Sequence, residues 1–137
     1  MTFSGAKLAL FIGPDLLVIR RDDRPDIPYP DFWDLPGGGR EGDETPEACV
    51  LRETGEEVDI WLRQEQLVWA TCYERPRGTV WFFAAHLGPE AEASVHLGSE
   101  GQGWRLMPPE TYCDHPQAVP HFPHQIRQYL NAKHPFG

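Results

Sequence analysis

GGREGDETPEACVLRETGEEVDI, residues 38–60, sets Gly38, Glu44, Arg52, Glu53, Glu56, Glu57 and Ile60 at fixed offsets from one another. A helix over 45–57 would place Glu53, Glu56 and Glu57 at i, i+3 and i+4, so three carboxylates share one face. Like charges at that spacing destabilise an isolated helix, and a helix that only met solvent would interleave lysines. The cluster makes physical sense with hard divalent cations among its oxygens. Thr45 followed by Pro46 predicts the helix start, because the hydroxyl can accept an orphan amide and proline has none to waste. Ala48, Leu51 and Gly55, with Val50 and Thr54 alongside, are the face expected to pack on a sheet. Gly55 costs about 1 kcal/mol against alanine inside a helix, which predicts close approach of a neighbour. Arg52, four residues before Glu56, can bridge the carboxylates.

The spacing resembles the Nudix box: Gly, five residues, Glu, seven residues, then Arg-Glu-U-x-Glu-Glu-x-Gly-U, with U apolar. Six identities hold, namely Gly38, Glu44, Arg52, Glu53, Glu56 and Glu57. Thr54 stands where an apolar residue is usual and Asp59 where glycine is usual. Asp adopts left-handed backbone more readily than most residues, so the turn after the helix is expected to survive. The resemblance, to Nudix hydrolases of the MutT-like kind, implies an α/β (α+β) fold, an αβα sandwich with a mixed β-sheet between helices. It also implies Mg2+, or Mn2+, held by Glu53, Glu56 and Glu57, with the Gly38 carbonyl a further ligand and Glu57 the residue that bridges metals. Arg52 would then orient the glutamates, and Glu44 would orient Arg52 or assist from outside the metal's own ligands.

Outside the box, SEGQGW resembles a segment that carries another carboxylate in MutT-like proteins, making Glu100 a candidate metal ligand or general base, with Glu53 its rival as base. Arg20 and Arg21 match a double arginine near the substrate phosphates of such proteins, and a guanidinium fork suits a phosphate. Arg40, inside the box loop, is a third candidate. Tyr29, Phe32 and Trp33, beside a proline-rich loop, are candidates to stack on a base. The remaining tryptophans read as core, and His115, His121 and His124 lack the partners of a zinc site. The asparagine with which MutT-like proteins read an oxidised guanine has no clear counterpart where this chain has HFPHQ, so oxidised-nucleotide sanitation is not supported.

A chain of 137 residues is expected to form one domain over 1–137, burying about two thirds of its unfolded surface. Its net charge is −9, and eight acids against two arginines in 38–60 contribute −6 of that. Such a protein lacks the basic patch that holds a nucleic-acid duplex. No apolar run approaches a membrane span, and MTFSGAKLALFIG reads as a first strand rather than a secretory leader. Three separated cysteines, with no C-x-x-C pair, predict neither disulfides nor structural zinc. A cytoplasmic protein, monomer or homodimer, is expected.

Residues 6–13 and 16–20 read as a hairpin turning at Gly13-Pro14-Asp15. The prolines at 25, 28, 30 and 36 predict a loop that ends in a short strand at Phe32–Leu35. Strands are expected at VDIWLR (58–63), 67–74 and 79–87, the last buried on both faces, with a turn at Arg75–Gly78. A loop over 88–103, a short strand GWRLMP and a closing helix at 124–133 complete the chain. The expected activity is Mg2+-dependent hydrolysis of a nucleoside diphosphate linked to a moiety X, by water attack on phosphorus. A non-hydrolytic nucleotide sensor is the alternative reading, and an isomerase a distant third.

Overall fold

In GAKLALFI every residue except Lys7 is buried, so this segment must be covered on both faces. It is β1, Gly5–Ile12, at the centre of a mixed sheet in a computed structural model that describes residues 2–133. The other strands are β2 (Asp15–Arg20), β3 (Trp33–Asp34), β4 (Gly37–Gly39), β5 (Trp69–Arg75), β6 (Gly78–Leu87) and β7 (Gly103–Met107). Their order is β3-β2-β1-β6-β5, with β4 beside β1 and β7 beside β2. β1 and β6 run parallel from Gly5↔Val80 to Ile12↔Leu87, and the other pairings are antiparallel.

The two-residue period of the strands divides the core. Ala9, Phe11, Phe82 and Ala84 face α3 (Phe122–Lys133) and the short α2 (Pro109–Cys113), from which Ile126, Tyr129 and Tyr112 enter the core. Leu8, Leu10, Ile12 and Phe83 face α1 (Pro46–Val58) and meet its Cys49, Val50 and Val58. Helices therefore flank a mixed sheet, as expected.

The box helix begins and ends where its sequence indicates. Thr45 Oγ1 accepts from the Ala48 amide at 3.1 Å, and Asp59 takes the left-handed conformation (φ 61°) with its amide donating to the Gly55 carbonyl. Its packing face is rotated from the expected one. Val50, Thr54 and Val58, at four-residue steps, lie underneath with Cys49, whereas Ala48 is exposed and Leu51 half-buried. Gly55 has its reason in the ring of Trp61, which lies where a Cβ would be, 2.3 Å from the added atom.

The Thr54 hydroxyl is fully buried without a hydrogen-bond partner. Thr54→Val keeps the shape and removes an unsatisfied polar group, so it is expected to stabilise the fold by about 1 kcal/mol, measured by urea denaturation. A loss of stability would mean that the hydroxyl is satisfied in solution.

Two local expectations are corrected, and one strand is added. VDIWLR is not a strand, because α1 runs through Val58 and the left-handed turn at Asp59 carries the chain across the helix end, where Trp61 covers Gly55; a 3₁₀ turn, Gln64–Gln66, follows. The glycine triplet 37–39 is a strand: Gly37 has φ 129°, and a Cβ there would meet the Ala6 carbonyl oxygen at 2.2 Å. Within 88–103, Pro89–Ser94 forms 3₁₀ helix rather than open loop.

Candidate functional site

Arg52, on the sheet-proximal flank of α1, gathers the acids of the box. Its Nε and Nη2 grip both oxygens of Glu44 at 2.6 and 3.0 Å, and Nη1 lies 2.9, 2.9 and 3.0 Å from oxygens of Glu41, Glu53 and Glu56. Nη2 also donates to the Gly39 carbonyl at 3.0 Å, tying the helix to β4. The Arg52 fork holds the Glu44 carboxyl below its usual range, helped by the Glu41 amide at 2.8 Å, while Glu44 and Glu53 hold the guanidinium more firmly protonated. One ligand oxygen each from Glu41, Glu53 and Glu56 lies within 4.8 Å of the others. Glu41 is an addition to the expected set. Gly38 lies against Glu53, where a Cβ would stand 2.5 Å from Oε2, and its carbonyl accepts from the Cys49 thiol at 3.6 Å.

Glu57 stands apart from that network. Its Oε1 accepts from the Gly37 amide at 2.7 Å, and burial pushes its pKa up to about 7 against the pull of nearby Lys7. Lys7, the one cation in an apolar strand, donates to Asp34 at 3.1 Å and to the carbonyls of Leu35 and Gly37 at 3.1 and 3.2 Å. Asp34, itself buried, also accepts from Arg21 Nη1 at 2.7 Å and from the Leu35 amide at 2.7 Å. The Lys7–Asp34–Arg21 triad thus fixes the segment that presents Gly37 to Glu57. Sequence reasoning found Arg21 and passed over Lys7 and Asp34, although a single lysine in GAKLALFI was a visible signal.

Glu100 reaches the same place from a loop docked on the end of α1. The His96 and Gly98 amides donate to the carbonyls of Val58 and Glu57 at 3.0 and 2.8 Å, and the Gln102 side chain donates to the Arg21 carbonyl at 2.7 Å. Glu53, Glu56, Glu57 and Glu100 line one open cavity, and Glu57 and Glu100 line another with Arg21, Arg24 and Asp34.

The remaining expected residues lie elsewhere. Trp33 is a core side chain, 6% exposed, and Phe32 packs against the same core; the cleft of about 650 Å³ beyond Arg21 and Asp34 is walled instead by Tyr29, His121 and Phe122. Alternation along β3 turns Trp33 into the core. Arg20 is paired with Asp31 at 2.7 Å and lies over the Trp33 ring, and Arg40 donates to the Glu44 carbonyl and stacks on Phe3; neither lines these cavities. His115 accepts from the Gln117 amide in the loop before α3, and His124 is exposed in the first turn of α3. Burial pushes the Cys49 thiol up to about 11, which suits a core group and not a nucleophile.

The donor set fits a hard divalent cation: carboxylate oxygens from Glu41, Glu53 and Glu56, with Glu57 and Glu100 lining the same cavity as Glu53 and Glu56 and no sulfur or imidazole among them. One consequence concerns pH. Between the ordinary value of 4.5 and about 7, folded metal-free protein keeps a proton on Glu57 that the unfolded chain has lost. That contribution to stability is complete below pH 4.5 and disappears as pH rises through 7. The lowered Glu44 acts only in acid, and His121, held below its usual value by burial and Arg75, acts in the opposite direction below its ordinary 6.5. Comparison with Glu57→Gln isolates the effect. In chelator, wild type should lose stability relative to that variant by at most about 3 kcal/mol from pH 5 to 8. A difference that does not change with pH would contradict the buried position of Glu57.

The NUDIX domain model matches residues 4–129. An RNA pyrophosphohydrolase of Acidiphilium cryptum is 48% identical over 87 residues, which cover 61% of this chain and 52% of that protein. An RNA pyrophosphohydrolase of Zymomonas mobilis is 31% identical over 102 residues, covering 60% and 65%. The chain therefore spans between half and two thirds of the length of these relatives. Among solved structures, the MutT protein from Methanosarcina mazei Go1 shares the fold at a TM-score of 0.75 and 18% identity, covering 96% of this chain and 94% of that one. Among the described residues no helix is long and apolar enough to cross a membrane. With the family model matching nearly the whole length and the box glutamates gathered on Arg52, this chain belongs to the Nudix family.

Proposed function

We propose that this protein is a divalent-metal-dependent pyrophosphohydrolase that cleaves a nucleoside diphosphate linked to a moiety X. The observation that carries this is the convergence of Glu41, Glu44, Glu53 and Glu56 on Arg52, with Glu53, Glu56, Glu57 and Glu100 lining one cavity. The names of the two curated relatives, both pyrophosphohydrolases, support the reaction class.

Mg2+ or Mn2+ bound there would neutralise pyrophosphate charge and acidify an attacking water. Glu53, Glu56 and Glu57 would hold the metal, with Glu41 joining them. Glu44 and Arg52 act as positioning residues, fixing the direction of the carboxylates. Arg52 already engages Glu53 Oε1 at 2.9 Å, which ties that carboxylate to the guanidinium. Glu100 makes no ion pair among the described residues, which suits it to take the proton of the attacking water. Arg21, fixed by Asp34, lies where a substrate phosphate can meet its guanidinium.

A panel of nucleoside diphosphate derivatives (triphosphates, dinucleoside polyphosphates, nucleotide sugars), incubated with Mg2+ or Mn2+, tests the reading. Release of a nucleotide and a second phosphate product from at least one member is expected. Tight binding of one member without cleavage of any would instead identify a nucleotide sensor.

A further inference from the structure

The chain carries nine net negative charges, yet its cleft of about 650 Å³ is lined by Lys7, Arg21, Arg75 and Arg77. The two acids on the wall are already neutralised: Asp34 by Lys7 and Arg21, and Asp26 by Arg24 at 2.6 Å. Arg75 and Arg77, at the turn between β5 and β6, line the cleft with no carboxylate partner among the described residues. Among the described residues Arg75 donates to the neighbouring Glu74 carbonyl and lies over the Tyr73 ring, and with burial its charge helps hold His121 below its usual value. Unpaired guanidiniums across from an aromatic wall are a ready site for an anion beside a ring.

Shared walls set what can bind. The acids Glu57 and Glu100 line a cavity with Arg21 and Asp34, which also line the cleft; Tyr29, His121, Phe122, Arg75 and Arg77 complete the cleft wall, and His121 lies close enough to feel both Asp34 and Arg75. About 650 Å³ is room for a nucleoside, since small-molecule sites run from roughly 300 to 1,000 Å³. A substrate with its pyrophosphate at the glutamates and its base against the aromatic wall would bring an anion beyond the ribose to the arginine pair.

We infer that Arg75 and Arg77 form a distal phosphate subsite, so that the preferred substrate is a nucleoside 5′-polyphosphate carrying a second phosphate ester on its ribose. The inference rests on the pyrophosphohydrolase reading for the orientation of the substrate. The same chemistry comes from a nucleotide with a terminal 3′-phosphate or from the 5′ end of an oligonucleotide, where the second phosphate is a diester.

Binding separates this inference from the reading beneath it. In calorimetric titration without cleavage, adenosine 3′,5′-bisphosphate should bind wild type roughly tenfold more tightly than adenosine 5′-monophosphate, and the R75Q/R77Q double variant should reduce that ratio to near one. Equal affinities in wild type, or a ratio the double variant preserves, would overturn the subsite even if pyrophosphate cleavage is robust. In turnover, kcat/KM of the 5′-triphosphorylated dinucleotide and of the 3′-phosphorylated nucleoside triphosphate should each exceed that of the plain triphosphate. Preference for the dinucleotide alone would identify oligonucleotide ends as the source, and equal preference the phosphate itself. Far-ultraviolet circular dichroism confirms that the double variant is folded.

Discussion

Glu57→Gln is expected to lower turnover by about three orders of magnitude and leave the protein folded. Losing a carboxylate proposed to hold metal should remove several kcal/mol of transition-state stabilisation, and each 1.36 kcal/mol is tenfold in rate. The folded state has little to lose, because the glutamine carbonyl can still accept the Gly37 amide that Glu57 Oε1 accepts at 2.7 Å. Above pH 7 the variant should even gain stability, since burial disfavours the charge it removes. Steady-state kinetics with saturating Mg2+ and urea denaturation in chelator measure the two effects. Turnover within tenfold of wild type, or a variant that does not fold, would defeat the role given to Glu57.

Arg52→Leu should damage both fold and activity, because four carboxylates depend on this one guanidinium. Glu44 and Glu53, each partly buried, would lose the guanidinium they pair with, and for Glu44 only the more distant charge of Arg40 would remain. Breaking a buried pair costs about 3–5 kcal/mol, and the partial exposure of these groups brings the expected loss to about 2 kcal/mol. Turnover should fall by about two to three orders of magnitude as the glutamates lose their alignment. Arg52→Lys restores charge without the fork that holds Glu44 and the Gly39 carbonyl together. It should recover most of the stability and remain about tenfold or more impaired. Equal activity of the lysine variant and wild type would show that charge alone suffices.

What was legible in the sequence was local or periodic. Thr45-Pro46 and Asp59 mark the two ends of α1 because capping depends on residues a few positions apart. β1, β2, β5 and β6 follow from hydrophobic runs and turn residues. The missing parts arise from distant pairings. β4 exists because Gly37–Gly39 lies beside Gly5–Lys7, and nothing within a glycine triplet announces a partner some thirty residues away. The same holds for Lys7 and Asp34, which meet only once β1 and β3 are placed. Glu41 was visible as charge, but its approach to Glu53 and Glu56 depends on the fold of the box loop. Trp33 read as a pocket residue from its loop-side position, whereas strand alternation and its hydrogen bonds to the α2–α3 connection put it in the core.

The central claim is that the acids gathered around Arg52 serve metal-dependent cleavage of a pyrophosphate bond. Its most direct test is turnover of the best substrate in ¹⁸O-labelled water, with Mg2+ titrated from zero after chelation. Activity should be absent without cation and saturate as Mg2+ is added, with label in one phosphate product only. Cleavage that persists in chelator, or a bound nucleotide that stays intact at every Mg2+ and Mn2+ concentration, would contradict it.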